Sequence, residues 1–241
     1  LLKVHNWAIN GFLIYLCFSV LMSRYWMKSI KNSFRAILNS VGIGGLIQLK
    51  VKSSLLEKGW FRSFNQKEAV DADGNPIAWC TYPFLDFIYP RLQSHFKVFE
   101  YGCGNSTIWY AKKVESITSV EHEKGWLDKI QSKMPKNSTI VFKELVYDGL
   151  YSKEIKSSGT KYHIAIVDGR DRNNCLLNAM DALTDDGIIV FDNSYLPQYQ
   201  SSINTALSKG FRKIDFYGMG PIAPHTSCTS IIYRTNNCLG I

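Results

Sequence analysis

Residues 97–121 read KVFEYGCGNSTIWYAKKVESITSVE. The opening KVFEY is a short run of β-branched and aromatic residues, the pattern of a buried strand. Gly102 and Gly104 follow at once. Glycine at the end of a strand lets the backbone turn sharply and pass close to a ligand. The stretch from there to about Lys113 has helical spacing, and Ile117–Glu121 is a second apolar run that ends on an acid. Strand, glycine turn, helix and strand together make the repeating unit of a parallel sheet.

The alternation continues downstream. Lys124–Lys133 reads as a helix, Thr139–Lys143 and Tyr162–Asp168 as strands, Arg172–Leu183 as a helix, Gly187–Asp192 as a strand and Gln198–Lys209 as a helix. The last two strands, Phe211–Tyr217 and Ser227–Arg234, have only the loop GMGPIAPHT between them, which predicts an antiparallel hairpin at one edge. The expected fold is α/β: a Rossmann-like, seven-stranded, mostly parallel sheet with helices on both faces and an antiparallel terminal hairpin.

Upstream the character changes. Residues 1–67 carry ten Lys/Arg and one acid, Glu57, whereas residues 68–241 carry 18 bases and 19 acids. The net charge of +8 therefore belongs to the N-terminal segment. This points to an anionic partner of that segment and away from nucleic acid on the main domain. Residues 7–26, WAINGFLIYLCFSVLMSRYW, are free of charge from Trp7 to Met22 and are followed by Arg24, Lys28, Lys31 and Arg35. A helix needs about 20 apolar residues to cross a bilayer, so this run is a candidate transmembrane helix with its C-terminal side in the cytoplasm. A signal-peptide core or a buried helix are the alternatives, though no small-x-small cleavage site follows. Ala36–Leu49 is too short to span; Gly42, Gly44 and Gly45 make it a poor helix, suited to an interfacial or packing role. The turn-forming DADGNP at 71–76 marks the expected boundary between an N-terminal helical segment, 1–70, and the main domain, 71–241. The first residue is Leu, as expected of a processed chain or a fragment.

The composition, 46% hydrophobic and 20% charged in 241 residues, is globular and excludes wholesale disorder, collagen and a polytopic membrane protein. The six cysteines (17, 80, 103, 175, 228 and 238) lack paired spacing. That argues against zinc and against a disulfide framework, and for reduced thiols in a cytosolic setting.

Within the main domain the chemistry centres on Glu100, Gly102, Gly104, Asn105 and Ser106 around the glycine turn. Thr107 stands where a dinucleotide fingerprint has its third glycine, and Glu100 would repel a pyrophosphate while welcoming a cationic ligand. An ordinary βα turn would look the same. Glu121, at the end of the second strand, is placed to accept hydrogen bonds from both hydroxyls of an adenosine ribose. Glycine loop and paired acids together specify a nucleoside ligand.

On these residues and the helix-free final hairpin, residues 97–234 resemble the class I S-adenosylmethionine-dependent methyltransferases, and VFEYGCGNSTIW, SVEHEKGW, VDGRDR and the ending NNCLGI are similar to an uncharacterised bacterial-type group of methyltransferase-like proteins. The resemblance implies that the ExGxG loop of Glu100, Gly102 and Gly104 wraps the amino-acid part of the cofactor and that Glu121 holds its ribose. It also implies that Asp168, in DGRDR, faces the transferring methyl. Asp168 with Asp192 and Asn193 is similar to the magnesium site of catechol-type O-methyltransferases, and carboxylate and amide oxygens suit magnesium. The alternative is that Asp192-Asn193 caps a loop and Asp168 meets the cofactor's amine or the substrate. His122 could flank the adenine, and His225, in the last loop, could act as a general base beside Asp168. Trp79, Tyr82 and Pro83 could line an acceptor pocket or pack in the core; Arg170 and Arg172 could bind an acidic substrate or form a helix-start salt bridge.

The expected activity is methyl transfer from S-adenosylmethionine to an acceptor, an oxygen nucleophile on a small molecule, saccharide or lipid-linked compound rather than nucleic acid. The alternatives are an NAD-dependent oxidoreductase, disfavoured by Thr107 and the terminal hairpin, and a non-catalytic nucleotide-binding, membrane-tethered protein. The expected location is a cytoplasmic catalytic domain carried on the N-terminal span.

Overall fold

The computed structural model describes residues 26–241. The expected transmembrane helix at 7–26 therefore lies outside the described residues, apart from Trp26. Among the described residues no helix is long and apolar enough to cross a membrane, so nothing described supports a spanning anchor.

The chain divides into two units between Leu56 and Glu57. In the first, residues 26–40 form helix α1. It ends where Gly42 adopts φ 77° and the Ile43 N–H reaches back to the Leu38 carbonyl at 3.1 Å, a left-handed C-terminal cap that glycine adopts without a Cβ penalty. Helix α2 (Gly44–Val51) follows. The expectation of a poor helix here is corrected. Gly44 and Gly45 fall in its first turn, where N–H groups have no intrahelical partner in any case, and only the interior of a helix bears the full glycine penalty. Helix α3 (Ser54–Glu57) straddles the division in sequence.

The second unit opens with α4 (Trp60–Gln66) and α5 (Tyr82–Ile88). Residues 71–76 are a turn, as expected, but they lie inside this unit. The Asp71 carboxylate accepts the N–H groups of Asp73 and Asn75 at 3.0 and 2.8 Å, and Val70 bridges Pro76. Ser63 of α4 is fully buried; its hydroxyl donates to the Val70 carbonyl at 2.6 Å and accepts the Val70 N–H at 3.0 Å.

The sheet has the order β3-β2-β1-β4-β5-β7-β6. Its strands are β1 (Lys97–Tyr101), β2 (Ser116–Glu121), β3 (Ser138–Phe142), β4 (Tyr162–Val167), β5 (Leu183–Asp192), β6 (Arg212–Gly218) and β7 (Ser227–Tyr233). The first five pair in parallel; β7 runs antiparallel between β5 and β6. The helices are α6 (Asn105–Ala111) after β1, α7 (Lys124–Ile130) after β2, α8 (Leu150–Lys153) after β3, α9 (Arg172–Ala182) after β4 and α10 (Gln200–Ser208) after β5. The central strands are apolar throughout because both faces are covered: Ile164, Ala165, Val167 and Ile188–Phe191 have no exposed surface.

The chain leaves β1 toward β2 on one side and returns at β4 on the other. The crevice at the C-terminal ends of β1 and β4 is thus the topological switch point, where such sheets bind ligands. Ser63→Ala should cost about 1–3 kcal/mol, because it leaves both the N–H and the carbonyl of buried Val70 without a partner. Urea denaturation would measure this, and an unchanged midpoint would show that α4 is not part of the cooperative unit.

Candidate active site

Glu100 is the penultimate residue of β1 and is 1% exposed. Three hydroxyls satisfy it. Ser106 bonds Oε1, while Thr107 at 2.5 Å and Ser119 at 2.9 Å donate to Oε2. The Thr107 hydroxyl in turn accepts the Gly104 N–H at 3.0 Å. A threonine in place of the third glycine is therefore a strut that ties the loop to the buried carboxylate. Gly102, at φ 94°, makes the turn and donates its N–H to the Val120 carbonyl at 2.9 Å; that backbone region is strained for any residue with a Cβ.

Glu121 ends β2 and is 4% exposed. Its Oε1 accepts the backbone N–H groups of His122 and Glu123 at 2.7 and 2.8 Å, and His122 Nδ1 lies 3.0 Å away. Oε2 takes only a long contact from the Cys103 thiol, 3.4 Å. A thiol is a weak donor, and a sugar hydroxyl in its place would make the stronger bond. Trp126, in the first turn of α7, donates its indole N–H to the Cys103 carbonyl at 2.8 Å and stands beside Gly104. It is 41% exposed, a flat apolar wall next to Glu121. Sequence reasoning missed its role; an aromatic shortly after a strand-end acid was the available clue.

The third cluster joins β4 to β5. Arg172, at the start of α9, uses all three guanidinium nitrogens. Nε bonds the Gly169 carbonyl at 3.0 Å. Nη2 bonds the Asp168 carbonyl at 3.0 Å and its carboxylate at 2.9 Å, and Nη1 bonds Asn193 Oδ1 at 3.2 Å and the Asp192 carbonyl. Nη1 is also 3.8 Å from Asp192 Oδ2, while Thr229 donates to Asp192 Oδ1 at 2.6 Å. Asn193 holds a left-handed φ of 56° and donates its amide to Ser227 at 2.9 Å. Asp168, Asp192 and Asn193 do come together, but around a guanidinium. The magnesium expectation is not supported: Asp168 Oδ1 and Asn193 Oδ1 bond Arg172, Asp192 Oδ1 bonds Thr229, and among the described residues no group of three His, Cys, Asp or Glu could hold a metal ion. Burial and the Asp192 charge push the Asp168 carboxyl well above the usual range, with Arg172 opposing them, and burial raises Asp192 as well.

These clusters line one cleft of about 630 Å³ at the C-terminal edge of the sheet. Of the residues singled out from sequence, Glu100, Gly102, Ser106, Glu121, His122, Asp168, Asp192, Asn193 and His225 reach its wall. Gly104 and Asn105 do not. Asn105 turns its amide to the Ala69 carbonyl at 2.9 Å and fastens the loop from outside. Trp79, Arg170 and Arg172 line the cleft too, whereas Tyr82 is buried in the core.

No protein-family model and no curated protein matches this sequence. Among solved structures it is similar to the precorrin-6y C5,15-methyltransferase of Geobacter metallireducens, at 13% identity and a TM-score of 0.50, over 68% of this chain and 96% of that one. It is also similar to an rRNA methylase of Streptococcus thermophilus, at 11% identity and a TM-score of 0.48, over 66% of this chain and all of the other. The likeness is one of fold: the protein has the fold of the class I S-adenosylmethionine-dependent methyltransferases.

Burial raises Glu100 to about 7 against an ordinary 4.5, despite its three hydroxyl bonds. A carboxyl whose folded value is raised favours the folded state below its unfolded value and loses that contribution as pH climbs through the folded one. Stability should therefore fall by about 3 kcal/mol between pH 4.5 and pH 8 on account of this residue. Glu100→Gln should flatten that part of the stability–pH curve, read by denaturant titration at several pH values. An unchanged slope would show that Glu100 is ionised in the fold without penalty.

Proposed function

We propose that the protein is a methyltransferase that moves a methyl group from S-adenosylmethionine to an oxygen nucleophile. The observation that carries this reading is the placement of Glu121 and the glycine loop on one cleft whose wall also bears Glu100, Asp168 and Asp192. Five carboxylates line the crevice, Glu123 among them, against Arg170 and Arg172, an excess of acids that favours a ligand with positive charge. S-adenosylmethionine has a sulfonium and an ammonium beside an adenosine, whereas a dinucleotide has a pyrophosphate. The Gly104 N–H at the start of α6 is already bonded to Thr107, which removes a donor that a pyrophosphate would need. Both features weigh against the nicotinamide alternative.

In this reading Glu121 accepts the ribose hydroxyls through Oε2, and His122 and Trp126 flank the base. Gly102 and Ser106 border the amino-acid part. Glu100, Gly104 and Asn105 act from behind, through the hydroxyl struts and the Ala69 contact that hold the loop in shape. The cofactor supplies a methyl on a positively charged sulfur, displaced in line by the acceptor oxygen, so positioning does much of the work. The chain must also take the acceptor's proton. Asp168, with its raised carboxyl beside Arg172, is the proposed base, with His225 across the same cleft as the other candidate. Arg172 holds the Asp168 carboxylate in place and compensates its charge, a duty given elsewhere to a metal ion. The acceptor class proposed is a small molecule, saccharide or lipid-linked hydroxyl, since the main domain has no excess of positive charge to draw a nucleic acid.

Glu121→Ala should weaken S-adenosylmethionine binding by about 1–3 kcal/mol, the scale for hydrogen bonds to a charged group. Calorimetry on a variant with an unaltered circular dichroism spectrum tests this, and undiminished affinity would remove the ribose assignment. The pH profile separates the two bases. If Asp168 takes the proton, activity rises with pH as its raised carboxyl ionises. Asp192→Asn then removes the repulsion and moves that rise to lower pH. A profile that Asp192→Asn leaves in place would assign the proton to His225.

A further inference from the structure

Helix α1 takes no part in the cleft, yet its surface is highly organised. At about 100° per residue, Trp26, Met27, Ile30, Phe34, Ile37 and Val41 fall within one arc of about 100°. The Val41 N–H bonds the Ile37 carbonyl at 3.2 Å, so the last of the six continues the helix. All six are 54–66% exposed. Lys28, Lys31 and Arg35 occupy the next roughly 60° of the surface, against the edge of the apolar arc, and are exposed. Half-buried Leu38 falls between arc and bases, and the rest of the circumference carries Ser, Asn and one Ala. Helix α2 also exposes large apolar side chains, Leu46 and Val51 at 66% and 68%, and has no buried residue.

A stripe of large apolar side chains left open to water marks a surface meant to be covered, and the charges identify the cover. The first acid in the chain is Glu57; residues 26–56 hold Lys28, Lys31, Arg35, Lys50 and Lys52 with no carboxylate among them. A second copy of the same face would set these cations against one another. A membrane interface presents acyl chains beneath anionic headgroups, and a helix with Trp and Phe in its apolar arc and bases along the edge fits that layering.

We propose that α1 lies in the plane of an anionic membrane surface, with the Trp26–Val41 stripe at the acyl boundary and Lys28, Lys31 and Arg35 against the headgroups. Lys28, Lys31 and Arg35 within this stretch would be costly at the centre of a bilayer, whereas an interface accommodates them beside the apolar stripe. The proposal stands independently of the reading of the cleft.

The test is co-sedimentation of the full chain with phosphatidylcholine vesicles, with and without about 30% phosphatidylserine. The full chain should bind the anionic vesicles at least tenfold more tightly. The triple change of Lys28, Lys31 and Arg35 to Gln should abolish that preference. Ile30→Gln with Phe34→Gln should weaken binding to both kinds of vesicle, with an unaltered circular dichroism spectrum and urea transition as the folding control. Equal binding to neutral and anionic vesicles would overturn the proposal, as would binding indifferent to Ile30 and Phe34, which would assign it to the Trp7–Met22 run. A dimer that Phe34→Gln dissociates would also overturn it, by making the occupant a second copy.

Discussion

Four strand-end carboxylates share the C-terminal edge of one mostly parallel sheet, where burial makes like charges repel strongly. Glu100, Glu121, Asp168 and Asp192 are each handled differently. Glu100 is wrapped in hydroxyls, Glu121 rests on two backbone N–H groups, and the two aspartates flank Arg172. A charge buried without compensation would cost several kcal/mol, so each device is a condition for the fold as well as a feature of the site. The excess of acids over bases that remains along the crevice is the ground for proposing a ligand with a cationic centre.

Arg172 links fold and chemistry. Its side chain crosses from the end of β4 to the end of β5, so two strand ends that line the cleft cannot separate without breaking its bonds. A bound divalent ion could perform the same service, but it would need oxygens that the guanidinium and Thr229 already hold. The fixed cation is part of the chain and cannot be lost by dilution or chelation, which makes the geometry of Asp168 a property of folding alone.

Much of this was legible in the residues themselves. Apolar runs of strand length, punctuated by helical spacing, located all seven strands, and the helix-free loop before Ser227 announced the antiparallel edge. Gly102, Glu100 and Glu121 stood out because a glycine turn set between two strand-end acids is the pattern a nucleoside pocket requires. Less could be read where contacts join distant segments. The part played by Arg172 depends on the ends of β4 and β5 lying side by side, which no local spacing records. The value of Thr107 depends on the buried position of Glu100, and Asn105 acts through Ala69, well upstream in the chain. Turn chemistry at 71–76 was correctly read as a turn, but a turn alone does not end a domain. There the buried Ser63–Val70 pair binds the preceding helix into the same unit.

The central claim is that the cleft is built for a positively charged adenosine ligand and not for a pyrophosphate. Calorimetric titration of the full chain with S-adenosylhomocysteine, whose ammonium and adenosine would meet the loop and Glu121 in the proposed reading, and in parallel with NADH, tests it most directly. The account predicts saturable one-site binding of S-adenosylhomocysteine and no measurable heat from NADH. Binding of NADH with comparable affinity, or silence from both, would contradict it.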